Sequence, residues 1–500
     1  MNRISIGDLY GDLDRRLKQL RQDHSAVARS RAVVERALAG EQVYYGINSG
    51  FGALAQKRIS PDKLEELQHN LILSHSVGVG PPVSKLISTL MLKLKIHCLG
   101  LGHSGVSVST FERLLWLVEE DLIPVVPSQG SLGASGDLAP LAHLSLPLIG
   151  QGELWDASGR ERLPAGRCLA ERGVDPIRLQ AKDGLALING TQFMSALGAW
   201  ALERSAWLVQ LADILAAMSL EALQGSIRPF DARIHRLRPH PGQAKVAENI
   251  RLLLQDSQIL ESHRHCGKVQ DPYSLRCVPQ VHGASRDALD YARGVVETEI
   301  NSVTDNPLVF PDGDIISGGN FHGQPLAYAL DLAAMALAEL ASISERRTFL
   351  LLEGHDGLPP LLMKETGLNS GFMIPQYTAA ALVSENKVLA HPASVGSIPC
   401  SLGQEDHVSM GAVSATKLWQ VVHNVQHCLA VELMTASQAL DYRLPLKAGR
   451  GVVLAHEFVR SRIPHREADG MFHNDLGRAI ELIETREIAD RIRGELGPLQ

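Results

Sequence analysis

The sequence lacks a CxxC pair: Cys98, Cys168, Cys266, Cys277, Cys400 and Cys428 are scattered, as expected of reduced thiols without a disulfide framework. It lacks a basic block as well, and a net charge of −7 spread along 500 residues leaves no electrostatic footprint for nucleic acid or an anionic membrane. Aromatic residues make up only 5% of the chain. MNRISIGDLYGDLDRRL contains no apolar stretch long enough for a secretory signal, so a cytoplasmic location is expected. The longest apolar run, residues 193 to 223, is interrupted by Glu203, Arg204 and Asp213, which suits a buried helix better than a membrane span.

What remains is a chain with ordinary globular composition, 45% hydrophobic and 21% charged, acting on a small molecule. Residues 1–105 read as an N-terminal region of short helical patterns and Gly-rich turns, and 106–500 as the body. Segments 193–224, 285–303, 324–353 and 407–441 have few breakers and are apolar around much of their circumference. Such segments predict an all-α, mainly helical chain whose helices pack in a bundle or at subunit contacts, with few, short strands. The linking segments are rich in Gly, Asn, Gln, His and Tyr: GINSGFG, SHSVGVG, GASGDLAP, LINGTQ, QDPYSLR, SGGNFHGQP and GQEDHVSMG. Loops of this kind often carry function.

The sharpest signal is GSLGASGDLAPLAHL, residues 130–144. Ala134, Ser135 and Gly136 are small enough for the Gly136 nitrogen to reach the Ala134 carbonyl and close a five-membered ring. Loss of water at closure and again from Ser135 would leave 4-methylideneimidazol-5-one, an electrophile made without any added cofactor. The plainer reading is a Gly-rich loop in which Asp137 caps a helix, with Pro140 in its first turn.

The longer string resembles the segment carried by the ammonia-lyase and aminomutase family that uses this prosthetic group, and the resemblance recurs in each loop between Tyr44 and Met410. It implies a long central helical bundle of the ammonia-lyase/fumarase-like type, a homotetramer with sites built from several subunits, and no metal or diffusible cofactor. It also implies that Tyr45, in VYYGINSGFG, is the base removing the β-proton. Gln270, Tyr273 and Arg276 are spaced three apart, so on a helical turn they would share a face. Their family counterparts clamp the amino acid, the Arg276 fork suiting its carboxylate. Asn189 matches a contact to the carboxylate side and prosthetic group, and Phe321 an aromatic packed near it; alone, these would read as a turn and a core residue.

Substrate choice turns on two positions. The Ser74-His75 pair is similar to the histidine branch of the family, and Glu405 can pair with an imidazole N–H where many relatives have a neutral residue. A carboxylate buried against a benzene ring is costly, so Glu405 disfavours phenylalanine as it attracts histidine. The expectation is elimination of ammonia from L-histidine to trans-urocanate, with a tyrosine (or phenylalanine) ammonia-lyase or aminomutase of the same family as the alternative. Departures from the family pattern at Leu132, Val278 and Ser401-Leu402-Gly403 fall outside the proposed catalytic positions. His263, His265 and Cys266 invite a metal-dependent hydrolase, but no HExxH or paired CxxC completes a shell. A non-enzymatic helical scaffold is the remaining alternative.

Overall fold

A computed structural model describes residues 3–50 and 59–500. Helices account for most of the chain, and among the described residues strands form three short antiparallel pairs: Val79–Pro82 with Pro127–Gln129, Glu153–Trp155 with Arg162–Pro164, and Leu308–Val309 with Ile315–Ile316. The fold is therefore all-α, as the helical periodicity predicts. Helices Leu9–Gln22, Ser25–Leu38, Leu64–His75 and Lys85–Leu99 alternate with turns in the N-terminal region.

Four long helices match the unbroken apolar segments: Gln192–Ala222, Val278–Glu299, Gln324–Leu352 and Gly411–Asp441. Val278–Glu299 starts seven residues before the expected 285, because Pro279 falls in its first turn, where a missing N–H costs nothing. Gly411–Asp441 starts four residues after the expected 407, since Met410 has a left-handed φ of 56° that ends the preceding loop. Gln192–Ala222 and Gln324–Leu352 are long and apolar enough to cross a membrane, yet 89% and 67% of their apolar windows are buried within the chain.

The chain divides into two compact units, each assembled from three separated stretches: 1–203, 293–331 and 392–416 in the first, 204–292, 332–391 and 417–500 in the second. In the first, Leu9, Leu13, Leu17 and Leu20 bury one stripe of an amphipathic helix. Val33, Val34, Ile47 and Val309 form a small core against which Tyr44 packs, fixing the turn that carries Tyr45. In the second unit, Val452, Ala455, Phe458 and Val459 form the buried stripe of Arg450–Arg460, and the Trp207 indole donates to the Ile483 carbonyl at 2.7 Å. Asp213, one of the charges interrupting the long apolar run, is fully buried here and accepts from Arg286 at 2.6 Å and Asn249 at 2.8 Å, with His282 at 2.8 Å. Burial alone would raise its carboxyl, but Arg286 and His282 hold it below the usual range.

Candidate active site

The Ala134-Ser135-Gly136 loop folds sharply. Ser135 and Gly136 both have left-handed φ, 50° and 83°, and Gly133 has 91°; the Gly136 N–H donates to the Gly133 carbonyl at 3.3 Å. Such a conformation at a non-glycine residue costs about 1–3 kcal/mol and has to be held by its surroundings. Gly190 does much of the holding: its N–H donates to the Ser135 carbonyl at 3.3 Å, and its carbonyl accepts from the Asp137 N–H at 2.7 Å. A Cβ on Gly136 would overlap the Gly190 carbonyl, so only glycine fits there. Ala134 is 9% exposed. Small residues, a doubled-back chain and a braced loop are the features that ring closure between the Gly136 nitrogen and the Ala134 carbonyl calls for.

Asp137 caps a helix, but not the one it precedes. Its Oδ2 accepts from the Phe193 and Met194 amides at 2.9 and 3.0 Å, at the start of Gln192–Ala222. Its Oδ1 is buried without a hydrogen-bond partner among the described residues, and burial pushes the carboxyl up to about 7. Asn189 ends the short helix Asp183–Ile188; its Nδ2 donates to the Asn306 carbonyl at 3.1 Å while its Oδ1 is a second buried acceptor without a partner among the described residues.

Two more of the sequence candidates gather at this loop. Glu405 Oε1 accepts from Ser135 Oγ at 3.2 Å, and Oε2 accepts from the Cys400 thiol at 3.3 Å. Burial and the neighbouring Glu405 carboxylate push that thiol up to about 11, so it stays a neutral donor. Cys400 and Glu405 also pair through their backbones, closing a turn in which Ser401, Leu402 and Gly403 all have left-handed φ, 49°, 56° and 86°. This departure from the family pattern thus shapes the mount of Glu405, and at Leu132 the carbonyl accepts from the Met410 N–H at 3.0 Å. His75, the last residue of its helix, holds Nδ1 against the Leu71 carbonyl at 2.8 Å. A proton on Nδ1 suits that contact and leaves Nε2 as acceptor. Burial lowers the His75 pKa, opposed by the Leu71 bond and by the nearby Glu405 charge.

Tyr45 sits half-buried in a turn of the same unit, tightened by Asn48 Oδ1 accepting from the Tyr44 N–H at 2.7 Å and Ser49 Oγ from the Gly46 N–H at 3.2 Å. Phe51 and Gly52, the end of that motif, lie outside the described residues. Phe321 is half-buried next to His322, whose ring lies parallel to that of His407 at 6.0 Å.

The clamp candidates belong to the second unit. Tyr273 and Arg276 share the single helical turn Tyr273–Arg276, with the guanidinium 4.5 Å over the phenol ring and Nε donating to the Asp271 carbonyl at 3.0 Å. Gln270 precedes that turn on non-helical backbone, because Pro272 starts the helix after it, so the expected common helical face holds only two of the three. Gln270 and Tyr273 are exposed.

Sequence reasoning passed over Lys95, Cys400 and Gly190. The clue to Lys95 was a pair of lysines, Lys93 and Lys95, in the otherwise apolar run MLKLKIHCLG; Cys400 and Gly190 carried no separate signal. His263 is engaged by carbonyls on both ring nitrogens, Ile259 at 2.6 Å and Gly225 at 3.1 Å, so it has no lone pair directed at a metal. Among the described residues no group of three or more His, Cys, Asp or Glu side chains is placed to hold a metal ion.

The aromatic amino acid lyase family model matches residues 11–461. A histidine ammonia-lyase of Sorangium cellulosum is 53% identical over 95% of this chain and 94% of its own length. Among solved structures, a histidine ammonia-lyase from Trypanosoma cruzi is 44% identical with a TM-score of 0.87, covering 94% of this chain and 89% of its own. A tyrosine aminomutase from Streptomyces globisporus is 36% identical with a TM-score of 0.88, covering 95% and 94%. With the Ser135 loop, its braces and these likenesses together, the chain belongs to the aromatic amino acid lyase family.

Proposed function

We propose that the protein is a carbon–nitrogen lyase that eliminates ammonia from L-histidine to give trans-urocanate. The observation carrying this reading is the contact between Glu405 and Ser135, with His75 close enough to sense the Glu405 charge: imidazole-recognising groups adjoin the residue expected to become electrophilic. The histidine ammonia-lyases among its relatives support the same substrate.

Elimination has two obstacles, a poor leaving group and a weakly acidic β-proton. Ala134, Ser135 and Gly136 form 4-methylideneimidazol-5-one, which supplies an electrophilic carbon able to turn the amino group into a leaving group. Tyr45 takes the β-proton; a phenol with an ordinary pKa of about 10 suits this when its proton is drawn off transiently. Arg276 binds the carboxylate, its plane set by Tyr273 and by the Asp271 carbonyl, and Gln270 adds a neutral hydrogen bond. Asn189, joined to the Ser135 loop through Gly190, has an Oδ1 without a partner among the described residues to offer, and Phe321 packs the site. Glu405 accepts from one imidazole N–H of the substrate, and His75 Nε2 accepts from the second N–H of a protonated ring. A phenol offers one hydroxyl where the pair presents two partners, and benzene offers none.

The family resemblance implies a cytoplasmic homotetramer whose sites draw on several subunits, and the exposure of Gln270 and Tyr273 in the single chain agrees with it. The test is to follow product absorbance of purified protein with histidine, tyrosine and phenylalanine in turn. Histidine is expected to be the fastest by a wide margin; preferential turnover of tyrosine or phenylalanine would overturn the assignment.

A further inference from the structure

A run of peptide groups beneath the Ser135 loop links a buried cation to the atoms that close the ring. Lys95, on helix Lys85–Leu99, is 1% exposed, and its Nζ donates to the Asn189 carbonyl at 2.7 Å. The N–H of that same peptide unit, at Gly190, donates to the Ser135 carbonyl at 3.3 Å; the N–H of the next unit, at Gly136, donates to the Gly133 carbonyl at 3.3 Å. Hydrogen bonds in series polarise one another, and a charge at one end acts more strongly in a dry interior than in water.

We propose that Lys95 is a positioning residue for self-modification of residues 134–136, polarising the Gly190 amide that stabilises negative charge on the Ser135 carbonyl oxygen. The inference rests on the electrophile assigned above. In closure, a bond forms between the Gly136 nitrogen and the Ala134 carbonyl carbon, the amide proton of Gly136 is given up, and the Ala134 oxygen is protonated. That hydroxyl then leaves with the Ser135 amide proton as the first water, creating a C=N bond. The Ser135 Cα proton and side-chain hydroxyl leave as the second. No oxidant or reductant is needed. Both difficult deprotonations, at the Gly136 nitrogen and at the Ser135 Cα, place charge on the same oxygen, because the Ser135 carbonyl is conjugated with each. One preorganised donor therefore serves both steps.

The groups facing Lys95 are Cys98, Asp305, Lys182 and Asp137. Burial lowers its pKa, Cys98, Asp305 and Asp137 oppose that, and Lys182 adds to it, although Lys182 is itself paired with Asp305 at 2.8 Å. Burying an ammonium opposes folding, because the charge loses its hydration. A methionine would fill the space without that cost, so packing gives no reason for a cation here.

The experiment is cell-free synthesis of the full chain, with intact mass followed over time at several pH values for the wild type, Lys95→Met, Lys95→Gln and Lys95→Arg. Circular dichroism and melting temperature report folding. The wild type should lose two waters. Folded Lys95→Met and Lys95→Gln should lose them on the order of ten- to a hundredfold more slowly, Lys95→Arg should recover most of the rate, and the deficit should narrow as pH rises. A purely structural role would slow the reaction by one factor at every pH, and that result overturns the proposal. So does a folded Lys95→Met or Lys95→Gln that matures at the wild-type rate. Where Lys95→Met is insoluble, the Gln and Arg variants decide by the same criteria. A wild type that never loses two waters would instead sink the electrophile itself.

Discussion

Two buried polar sites, one in each unit, are satisfied differently. In the second unit Glu432 is fully enclosed and completely satisfied: Arg347 donates to Oε1 at 2.6 Å and to Oε2 at 2.8 Å, and Ser219 adds a bond at 2.7 Å. In the first, Asp137 and Asn189 are also buried, yet each keeps one oxygen without a partner among the described residues. A satisfied network fixes a scaffold, whereas a buried acceptor left bare needs another explanation. Both residues adjoin the Ser135 loop, Asp137 in sequence and Asn189 through Gly190, where the proposed function puts the chemistry.

Mutations can break that contrast. The largest effect on activity is expected from Ser135→Ala, which removes a hydroxyl while leaving the fold intact: urocanate formation should vanish and the intact mass should equal that of the unmodified chain. Wild-type-like turnover would remove Ser135 from the chemistry. The largest effect on stability is expected from Glu432→Ala, which leaves Arg347 buried and unpaired and should cost about 3–5 kcal/mol, read as a lower denaturant midpoint. A loss equal to that of an exposed ion pair would show the network to be ornamental. Next comes Glu405→Gln, expected to lower kcat/KM for histidine by about ten- to a hundredfold, a transition-state loss of roughly 1–3 kcal/mol, with a smaller change for tyrosine. Equal losses on both substrates would discredit its part in selectivity.

The smallest effect concerns pH and sets one carboxyl from each unit side by side. Burial raises Asp137 in the first unit and Glu221 in the second to about 7. An acid whose folded pKa lies above its unfolded value weakens the fold as the unfolded chain ionises first, so stability should decline from about pH 4 to about pH 7 and level off above. Asp137→Asn and Glu221→Gln should each flatten part of that decline in urea titrations at pH 4.5 and 7.5. An unchanged slope in both would show that other groups set it.

Much of this was legible in the chain itself. The helices were readable because segments with few breakers run for 22 to 31 positions, and the Ser135 loop because small residues cluster there. The braces were not. Lys95 meets Asn189 across 94 positions, and Ser135 meets Glu405 across 270, separations at which no local pattern speaks. The interleaving of three stretches in each unit is hidden for the same reason. Gln270 was misplaced on a helix because spacing of three is compatible with a turn but does not impose one where a proline follows two residues later.

The left-handed turn from Ser401 to Gly403 works as a ruler. Because Cys400 and Glu405 grip each other's backbones across it, the number of residues between them sets how far the carboxylate reaches toward Ser135. Changing the exposed Leu402 to glycine or asparagine would relax the turn without altering its length. Inserting one residue would shift the register and carry the carboxylate away, leaving composition almost untouched and the measure wrong.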